Sequence, residues 1–217
     1  MPLPTLRHPA LLVRGVRLRD AKAMEKALLE HRAWLEPWEA TTPLIRLTPS
    51  DTKSSIRGLL AAAKDGSGVP LVMIHDGQLV GQLNVSQITY GSLSSATLGY
   101  WVIESVAGKG LTTLAVALAT DYLFFERGLH RIEVCIRPEN IASLRVVEKL
   151  GFRYEGLRRR YIHINGAWSD HFCFALVQEE VRGGVLKRFE SGAARPELAA
   201  IPELDWVKAR NPLTPGV

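Results

Sequence analysis

The feature that most constrains this fold is a glycine-bearing turn between a strand pattern and a long apolar helix pattern. Apolar and polar positions alternate over residues 97–103, which predicts a strand. The segment Gly108-Lys109-Gly110 follows, and helical spacing of apolar residues then continues from residue 111 to about residue 127. A strand, a tight loop and an amphipathic helix in this order place the helix on one face of a sheet.

Strand and helix patterns continue on both sides of this unit. Before it, the sequence predicts a strand over residues 11–18, a helix capped by Asp20 that extends to about His31, a helix over 56–64 preceded by Ser50-Asp51, and antiparallel strands over 71–74, 79–89 and 97–103. After it, we expect a strand over 131–137, a short helix from Asn140 to Leu150, and a hairpin of 152–164 with 168–176 around Asn165-Gly166. These elements predict an α+β fold with a mixed sheet.

The pattern weakens after Val177. A helix is expected to continue to about Phe189. Beyond it, four prolines predict a poorly structured tail that packs on the body or extends from it. They are Pro196, Pro202, Pro212 and Pro215. We therefore divide the chain into a domain of residues 1–178 and a C-terminal helix and tail of residues 179–217.

Composition excludes several classes of protein. Hydrophobic residues make up 47% and charged residues 23% of the 217 residues, as in ordinary globular proteins. No apolar run approaches the ~20 residues that a membrane-spanning helix needs. The first 13 residues lack the continuous apolar core of a signal peptide. We expect a soluble cytoplasmic protein with no membrane association.

Charge and cysteine content allow weaker inferences. The 27 Lys and Arg residues outnumber the 22 Asp and Glu residues, and the net charge of +5 either favours anionic partners such as a nucleotide cofactor or ribosomal RNA, or only aids solubility. Cys135 and Cys173 lie in apolar stretches and are interpreted as buried small hydrophobes. The sequence contains no CxxC motif or His/Cys cluster, so no metal site is expected.

The loop over residues 108–110 has the composition of an anion-binding turn. Free backbone N–H groups at a helix N-terminus bind phosphate because they are unpaired and carry the positive end of the helix dipole. Glycines let the backbone approach a ligand closely. Alternatively, the loop is only a tight connection between a strand and a helix, and the Lys109 side chain points into water.

Two blocks further along the chain make the interpretation specific. Asn-x-x-Ser occupies residues 140–143, and Glu-Lys-Leu-Gly-Phe occupies residues 148–152. Together with the glycine loop, these blocks resemble the acetyl-CoA-binding and neighbouring motifs of the GNAT superfamily. The chain resembles most closely its RimJ/RimL branch, the ribosomal-protein-alanine N-acetyltransferases. Three further stretches support that branch: residues 34–39, 128–132 and 164–171. The resemblance covers roughly residues 10–178.

The resemblance implies a GNAT fold, a mixed and mostly antiparallel sheet with splayed central parallel strands flanked by helices. It also implies acetyl-CoA as cosubstrate, with the pantetheine arm in the splay and the pyrophosphate on the glycine loop. The cofactor-binding residues that it implies are Val102, Ile103, Ala107, Gly108, Lys109, Gly110, Leu111, Thr112, Asn140 and Ser143. The family's loop pattern is Gln or Arg, two residues, Gly, one residue, then Gly or Ala. Ala107 and Thr112 depart from that pattern, and only Gly110 matches it fully.

The resemblance also implies direct attack of a neutral amine on the thioester. A backbone N–H near Val102 or Ile103 would stabilise the developing oxyanion, and Ser143 would donate a proton to the leaving thiol. Alternatively, Asn140 only caps a helix and Ser143 is only its third residue.

The general base is the least defined part of the implied site. Some RimL-like members carry a glutamate three residues before the Asn-Gly turn, where this chain has Ile162. Glu104 is the best substitute, unless it is only a solvated loop charge. The weaker candidates are Glu36, Glu39, His163 and Asp170.

The acceptor is also constrained by the resemblance. Trp34 and Trp38 either line the acceptor groove or form a core pair under the sheet. The arginines at residues 158–160 either meet ribosomal RNA or lie on a solvated edge strand.

The missing base favours one kind of amine. Deprotonation at neutral pH costs about 1 kcal/mol for an α-amine and about 4 kcal/mol for a lysine. The leading hypothesis is therefore acetylation of a protein N-terminus, that of a ribosomal protein starting with alanine or serine, by a monomer or homodimer. The alternatives are acetylation of a small amine, such as an antibiotic, polyamine or amino acid, and an inactive acyl-CoA-binding module.

Overall fold

One eight-stranded sheet organises residues 2–43 and 51–211, the part of the chain described by the computed structural model. The strands lie in the order β1-β2-β3-β4-β5-β6-β8-β7, and all neighbouring pairs are antiparallel except β5 and β6. The strands are β1 (Thr5–His8), β2 (Leu11–Gly15), β3 (Val69–His75), β4 (Gln78–Thr89), β5 (Ser95–Val102), β6 (Arg131–Ile136), β7 (Arg153–Ile164) and β8 (Ala167–Val177). This arrangement confirms the predicted mixed α+β sheet.

Helices cover both faces of the sheet. They are α1 (Ala21–Glu30), α2 (Arg32–Leu35), α3 (Thr52–Asp65), α4 (Leu111–Phe125), α5 (Ile141–Leu150), α6 (Val185–Glu190) and α7 (Glu203–Arg210). Helices α4 and α5 contribute to the large core cluster on one face, whereas α1 and α3 form a smaller cluster on the other with Val16 and Val72. No helix in the described ranges is long and apolar enough to cross a bilayer.

The parallel strands β5 and β6 separate towards their C-terminal ends. They pair over Ser95 to Leu98 on β5 and Arg131 to Val134 on β6. Beyond Leu98, β5 stays with β4 as far as Val102, and β6 stays with β8 as far as Ile136. The gap between the two strands confirms the splay that the family resemblance implies.

Local signals in the sequence end the helices where expected. The Asp51 carboxylate accepts a hydrogen bond from the Lys53 N–H at the start of α3, and Gly66 ends that helix with a left-handed φ of 86°. Ser50 lies outside the described residues. Asn140 caps α5, which confirms the prediction for that helix.

Helix α4 begins at a turn that requires glycine. Gly108 and Gly110 have φ values of 78° and 81°, and Gly110 is the residue that precedes the first helical position. A side chain in this left-handed region costs roughly 1–2 kcal/mol. Glycine at both positions avoids this cost.

The N-terminal prediction was wrong in two respects. The strand predicted over residues 11–18 ends at Gly15, and β1 precedes it. Val16 N–H bonds to the Pro70 carbonyl, and the chain then turns because the Asp20 carboxylate accepts two hydrogen bonds from Arg14 and one from the Arg17 N–H. Asp20 therefore makes no side-chain cap on α1, contrary to the prediction.

The C-terminal prediction was wrong about the secondary structure, although the tail does pack on the body as one of its two alternatives stated. The expected helix to Phe189 is a 3-10 turn, Gln178–Val181, followed after two glycines by α6. Beyond it the chain forms α7, whose Trp206 ring packs edge-to-face on Phe172 at a centroid distance of 4.8 Å. These short helices carry too few apolar positions for a periodic signal. Pro212 and Pro215 lie outside the described residues, and the domain boundary at residue 178 stays a prediction.

The C-terminal elements bind the two helices next to the splay. Both carboxylate oxygens of Asp121 on α4 accept hydrogen bonds from the first turn of α6, from Val185 N–H and Leu186 N–H. Arg188 on α6 donates to the Leu150 carbonyl at the end of α5. The region after residue 178 is therefore integrated with the helices that flank the gap.

We predict that Asp20→Ala lowers the free energy of unfolding by about 3 kcal/mol at pH 7, because it leaves the partly buried Arg14 guanidinium without its carboxylate. Burial acts to raise the pKa of Asp20, but the hydrogen bonds from Arg14 and Arg17 outweigh it and hold the pKa below its ordinary value. The stabilisation is therefore present above about pH 4 and is lost as the pH falls through the folded-state pKa.

Urea unfolding at pH 7 and pH 3 measures this difference. The exposed Glu25→Gln on α1 is the matched control and is expected to change stability by less than about 0.5 kcal/mol. A cost for Asp20→Ala that does not shrink at low pH would contradict the assignment of the pair.

We predict that Gly110→Ala destabilises the protein by about 1 kcal/mol, since the residue must hold a positive φ. Gly58 in α3 is the control because it is helical and exposed, with no atom within 4 Å of an added Cβ. Gly58→Ala is expected to stabilise by about 0.5–1 kcal/mol. Thermal and urea unfolding of both variants measure the change in stability, which is expected to have opposite signs in the two variants. A change of the same sign in both would refute the requirement for glycine at residue 110.

Candidate active site

The β5 side of the gap presents the backbone of Tyr100 and Val102. Ile103 N–H donates to the Val80 carbonyl on β4 at 2.9 Å. Backbone groups alternate in direction along a strand, so those of Tyr100 and Val102 point away from β4 and into the gap. The N–H of Ile103 is already bonded to Val80, which corrects the expectation that it could donate to the developing oxyanion. The Val102 N–H, which faces the gap, remains as the candidate for that role.

Trp34 lies at the mouth of the gap. Its Nε1–H donates to the Val102 carbonyl at 3.0 Å, and its ring is half-buried. This bond fixes α2 to the C-terminal end of β5.

Trp38 lies at the C-terminal end of β6, the other strand of the gap. Arg137, which directly follows β6, donates from Nη1 to the Pro37 carbonyl at 2.9 Å, and its guanidinium carbon is 5.7 Å from the centre of the Trp38 ring. Trp38 is half-buried. Segment 32–38 therefore spans the gap with one tryptophan at each strand end, which excludes the alternative of a core pair.

The turn between β7 and β8 holds the same segment from a third side. The Asn165 side-chain amide donates to the Glu36 carbonyl at 3.1 Å. Thr41 N–H donates to the His163 carbonyl at 2.8 Å, and Thr41 Oγ1 is 2.7 Å from His163 Nδ1. This ring nitrogen of His163 is thus engaged in holding the segment.

The loop before α4 presents the start of a helix to the gap. Within the loop, Ala107 N–H donates to the Glu104 carbonyl and Lys109 N–H to the Val106 carbonyl. The first intrahelical bond runs from Leu114 N–H to Gly110, and no side chain caps the helix. The amides of residues 111–113 precede that bond and carry the positive dipole end.

This geometry redistributes the predicted anion-binding groups. The backbone amides of Ala107 and Lys109 are engaged within the loop, and the Lys109 side chain is exposed. The amides of Leu111 and Thr112 are better placed to meet an anion. Gly108 and Gly110 have no atom within 4 Å of an added Cβ, so the loop is open to a ligand.

The N-terminus of α5 forms the opposite wall. Asn140 Oδ1 accepts a hydrogen bond from Ser143 N–H at 3.0 Å. Ser143 Oγ lies 2.8 Å from the hydroxyl oxygen of Tyr100 on β5. Asn140 thus acts as a helix cap, and Ser143 joins α5 to the β5 side of the splay.

The sequence analysis missed Tyr100 as a site residue. Burial raises the pKa of Tyr100 to about 12, and the hydrogen bond with Ser143 opposes that rise. The hydroxyl is therefore protonated at neutral pH. Its only signal in the sequence is that it shares a strand face with Val102, and core residues share that face too.

The carboxylates considered as general bases are mostly paired. Glu36 and Glu39 both form ion pairs with Arg32. Asp170 pairs with Arg159 at 2.7 Å, and its side chain is only 8% exposed. Glu104 is exposed in the 3-10 turn that follows β5, and its role as base stays a prediction.

The arginine run lies on β7, which is an edge strand as predicted. Arg158 pairs with Glu133 at 3.2 Å, and Arg159 pairs with Asp170. The charges of Arg158 and Arg159 are therefore compensated within the chain, which leaves less charge for a contact with RNA. In the described ranges, no group of three His, Cys, Asp or Glu side chains is arranged to hold a metal ion.

Comparison with known proteins gives a consistent assignment. A family model described as an acetyltransferase (GNAT) domain matches residues 10–153. A probable N-acetyltransferase of Bacillus subtilis (strain 168), YjcK, is 43% identical over 105 residues, which cover 48% of this chain and 58% of that protein. The ribosomal protein uS5-alanine N-acetyltransferase of Escherichia coli (strain K12) is 30% identical over 179 residues, which cover 82% of this chain and 92% of that protein.

A solved structure extends the comparison to three dimensions. Mycobacterium smegmatis RimJ, in complex with CoA-disulfide, superposes with a TM-score of 0.78 at 39% sequence identity. The match covers 88% of this chain and 94% of that one. The family model, the sequence relatives and the fold agree, and the chain therefore belongs to the GNAT family as an N-acetyltransferase related to the ribosomal-protein-alanine N-acetyltransferases.

Proposed function

We propose that this enzyme transfers the acetyl group of acetyl-CoA to the α-amine of a protein N-terminus, with a ribosomal protein starting with alanine or serine as the acceptor. The gap between β5 and β6 carries this proposal, because it brings a strand backbone, an uncapped helix start and a hydroxyl pair together. The names of the relatives support the acceptor class, since one is a ribosomal protein uS5-alanine N-acetyltransferase.

The residues around the gap fit the cosubstrate. The amides of Leu111 and Thr112 at the start of α4 would hold the pyrophosphate, because unpaired helix N–H groups suit phosphate oxygens. The Tyr100 backbone, which also faces the gap, would pair with the pantetheine arm, and the open loop at Gly108 and Gly110 would let the pyrophosphate approach α4. Acetyl-CoA supplies an activated thioester that the amine attacks directly.

Groups of the chain itself would stabilise the developing negative charge and supply the proton for the leaving thiolate. Val102 N–H faces the gap and would stabilise negative charge on the reacting carbonyl oxygen. The Ser143 hydroxyl would donate a proton to the departing thiolate, and the Tyr100 hydroxyl, 2.8 Å away, would replace it. The proton that the attacking amine releases to solvent balances the one that Tyr100 then takes back from solvent. The raised pKa of Tyr100, about 12, means that its hydroxyl carries the proton at neutral pH.

The charges at the mouth favour an amine that needs little help to lose a proton. Glu36 and Glu39 both face the Arg32 guanidinium, so neither carboxylate is free of a partner. An α-amine has a pKa of roughly 8 and a lysine amine one of roughly 10.4. A weakly assisted site therefore acts better on an N-terminus than on a lysine.

A panel of acceptors tests the proposed function. We expect thiol release from acetyl-CoA with peptides that begin with alanine or serine, and a mass increase of one acetyl group at the α-amine. Peptides with a blocked N-terminus and an internal lysine are the matched control and are expected to react at least about 100-fold more slowly, from the ~2.5-unit difference in amine pKa. Turnover confined to small amines, or binding of acetyl-CoA without turnover on any acceptor, would refute the proposal.

We predict that Ser143→Ala lowers kcat by about 100-fold and that Tyr100→Phe lowers it by about 10-fold, within the range for lost proton transfer. Tyr90→Phe is the matched control, because Tyr90 is exposed and bonds Arg127. Steady-state kinetics on the best peptide, with circular dichroism to confirm folding, measures the effects. Unchanged kcat in folded Ser143→Ala and Tyr100→Phe would remove this pair from the mechanism.

A further inference from the structure

Cys135 and Cys173 lie directly opposite each other on β6 and β8. Gln178 N–H donates to the His130 carbonyl at 3.0 Å, just beyond the ends of these two strands. Hydrogen-bonded and non-hydrogen-bonded pairs alternate along an antiparallel ladder, so the Cys135–Cys173 pair is of the non-hydrogen-bonded kind.

That position brings the two thiols together. Opposed Cα atoms of such pairs are about 4.5 Å apart, which is within the range that a disulfide can bridge. The two sulfur atoms are 2.8 Å apart, and both cysteines are free. A bond between them therefore needs little backbone movement.

The two thiols have different surroundings. Cys135 is half-buried, and Arg158 Nη1 lies 3.8 Å from its sulfur. The hydrogen bond from Cys173 lowers the pKa of Cys135, burial and Glu133 oppose this, and the positive charges of Arg158 and Arg131 add to the lowering. Cys173 is only 5% exposed, and its bond to Cys135 and its burial raise its pKa. This asymmetry favours Cys135 as the attacking thiol and Cys173 as the resolving thiol.

We propose that Cys135 and Cys173 form a redox modification site that a hydroperoxide converts to an intramolecular disulfide. The Cys135 sulfur attacks the peroxide O–O bond, gains one oxygen as a sulfenic acid and releases an alcohol, or water from hydrogen peroxide. The Cys173 sulfur then attacks the Cys135 sulfur, the S–O bond breaks, and the hydroxyl group leaves as water with the Cys173 proton. Two thiols are oxidised by two electrons, and the peroxide is reduced by two.

The structure confirms the prediction of a buried cysteine for Cys173 and contradicts it for Cys135, which is half-buried. Cys135 is partly accessible and stands next to a guanidinium, which is the environment of a reactive thiol. The disulfide would join β8 to β6, the strand that forms one wall of the gap. The inference does not depend on the identity of the acceptor amine.

Oxidation of the full-length protein tests the proposal. The reduced and desalted protein is treated with hydrogen peroxide, quenched with N-ethylmaleimide, and measured by intact mass and peptide mapping. We expect loss of both alkylatable thiols, a mass lower by two hydrogens, a cross-linked peptide pair joining residues 135 and 173, and recovery with dithiothreitol. Retention of both thiols, or oxidation that produces only sulfinic acid or dimers between chains, would overturn the proposal.

Variants assign the order of reaction. Cys173→Ser is expected to stop at a sulfenic acid on Cys135 that dimedone captures, and Cys135→Ser is expected to oxidise at least about tenfold more slowly, since the buried thiol is less ionised. Arg158→Gln is expected to slow oxidation severalfold, whereas Arg145→Gln, on the exposed side of α5, is the control. Equal oxidation rates in Cys135→Ser and the wild-type protein would contradict the assigned roles. If a variant fails to fold, the mass measurement on the wild-type protein still tests the proposal.

Discussion

The arrangement of the active site depends on one departure from regular sheet pairing. β5 and β6 pair over only four residues of each strand before each follows a different neighbour. In a continuous sheet, the backbone groups of Tyr100 and Val102 would bond to the next strand. Here they face a gap instead. Trp34 Nε1–H satisfies the Val102 carbonyl, and the remaining backbone groups still need polar partners. A ligand with amide groups of its own can meet that requirement, which is why we propose the gap as the binding site for the cosubstrate.

Other parts of the chain hold this gap open and give it chemistry. Trp34 and Arg137 anchor one segment to the ends of both strands, so the mouth has a defined width. On the opposite face, α4 and α5 bring an uncapped helix start and the Ser143 hydroxyl to the same place. The C-terminal helices bind α4 and α5 through Asp121 and Arg188. The site therefore draws on almost the whole described chain.

Much of the fold was predictable because its signals are local. The glycine turn before α4, the Asn140 cap and the alternation along β5 each depend on neighbouring residues, and all were confirmed. The long-range contacts were not predictable in this way. Nothing near Asp20 in the sequence indicates that Arg14 competes for its carboxylate, and nothing near Tyr100 indicates a bond to a residue 43 positions away. The general base stays unassigned for the same reason, since it depends on side chains that converge from distant segments.

Backbone amide NMR during a titration with acetyl-CoA tests the central claim most directly. If the gap binds the cosubstrate, the amides of Val102 and of residues 111–113 should shift and gain protection from hydrogen exchange. The amides of α3, on the other face of the sheet, should not change. Saturable binding that leaves these amides unchanged and shifts signals elsewhere would contradict the account.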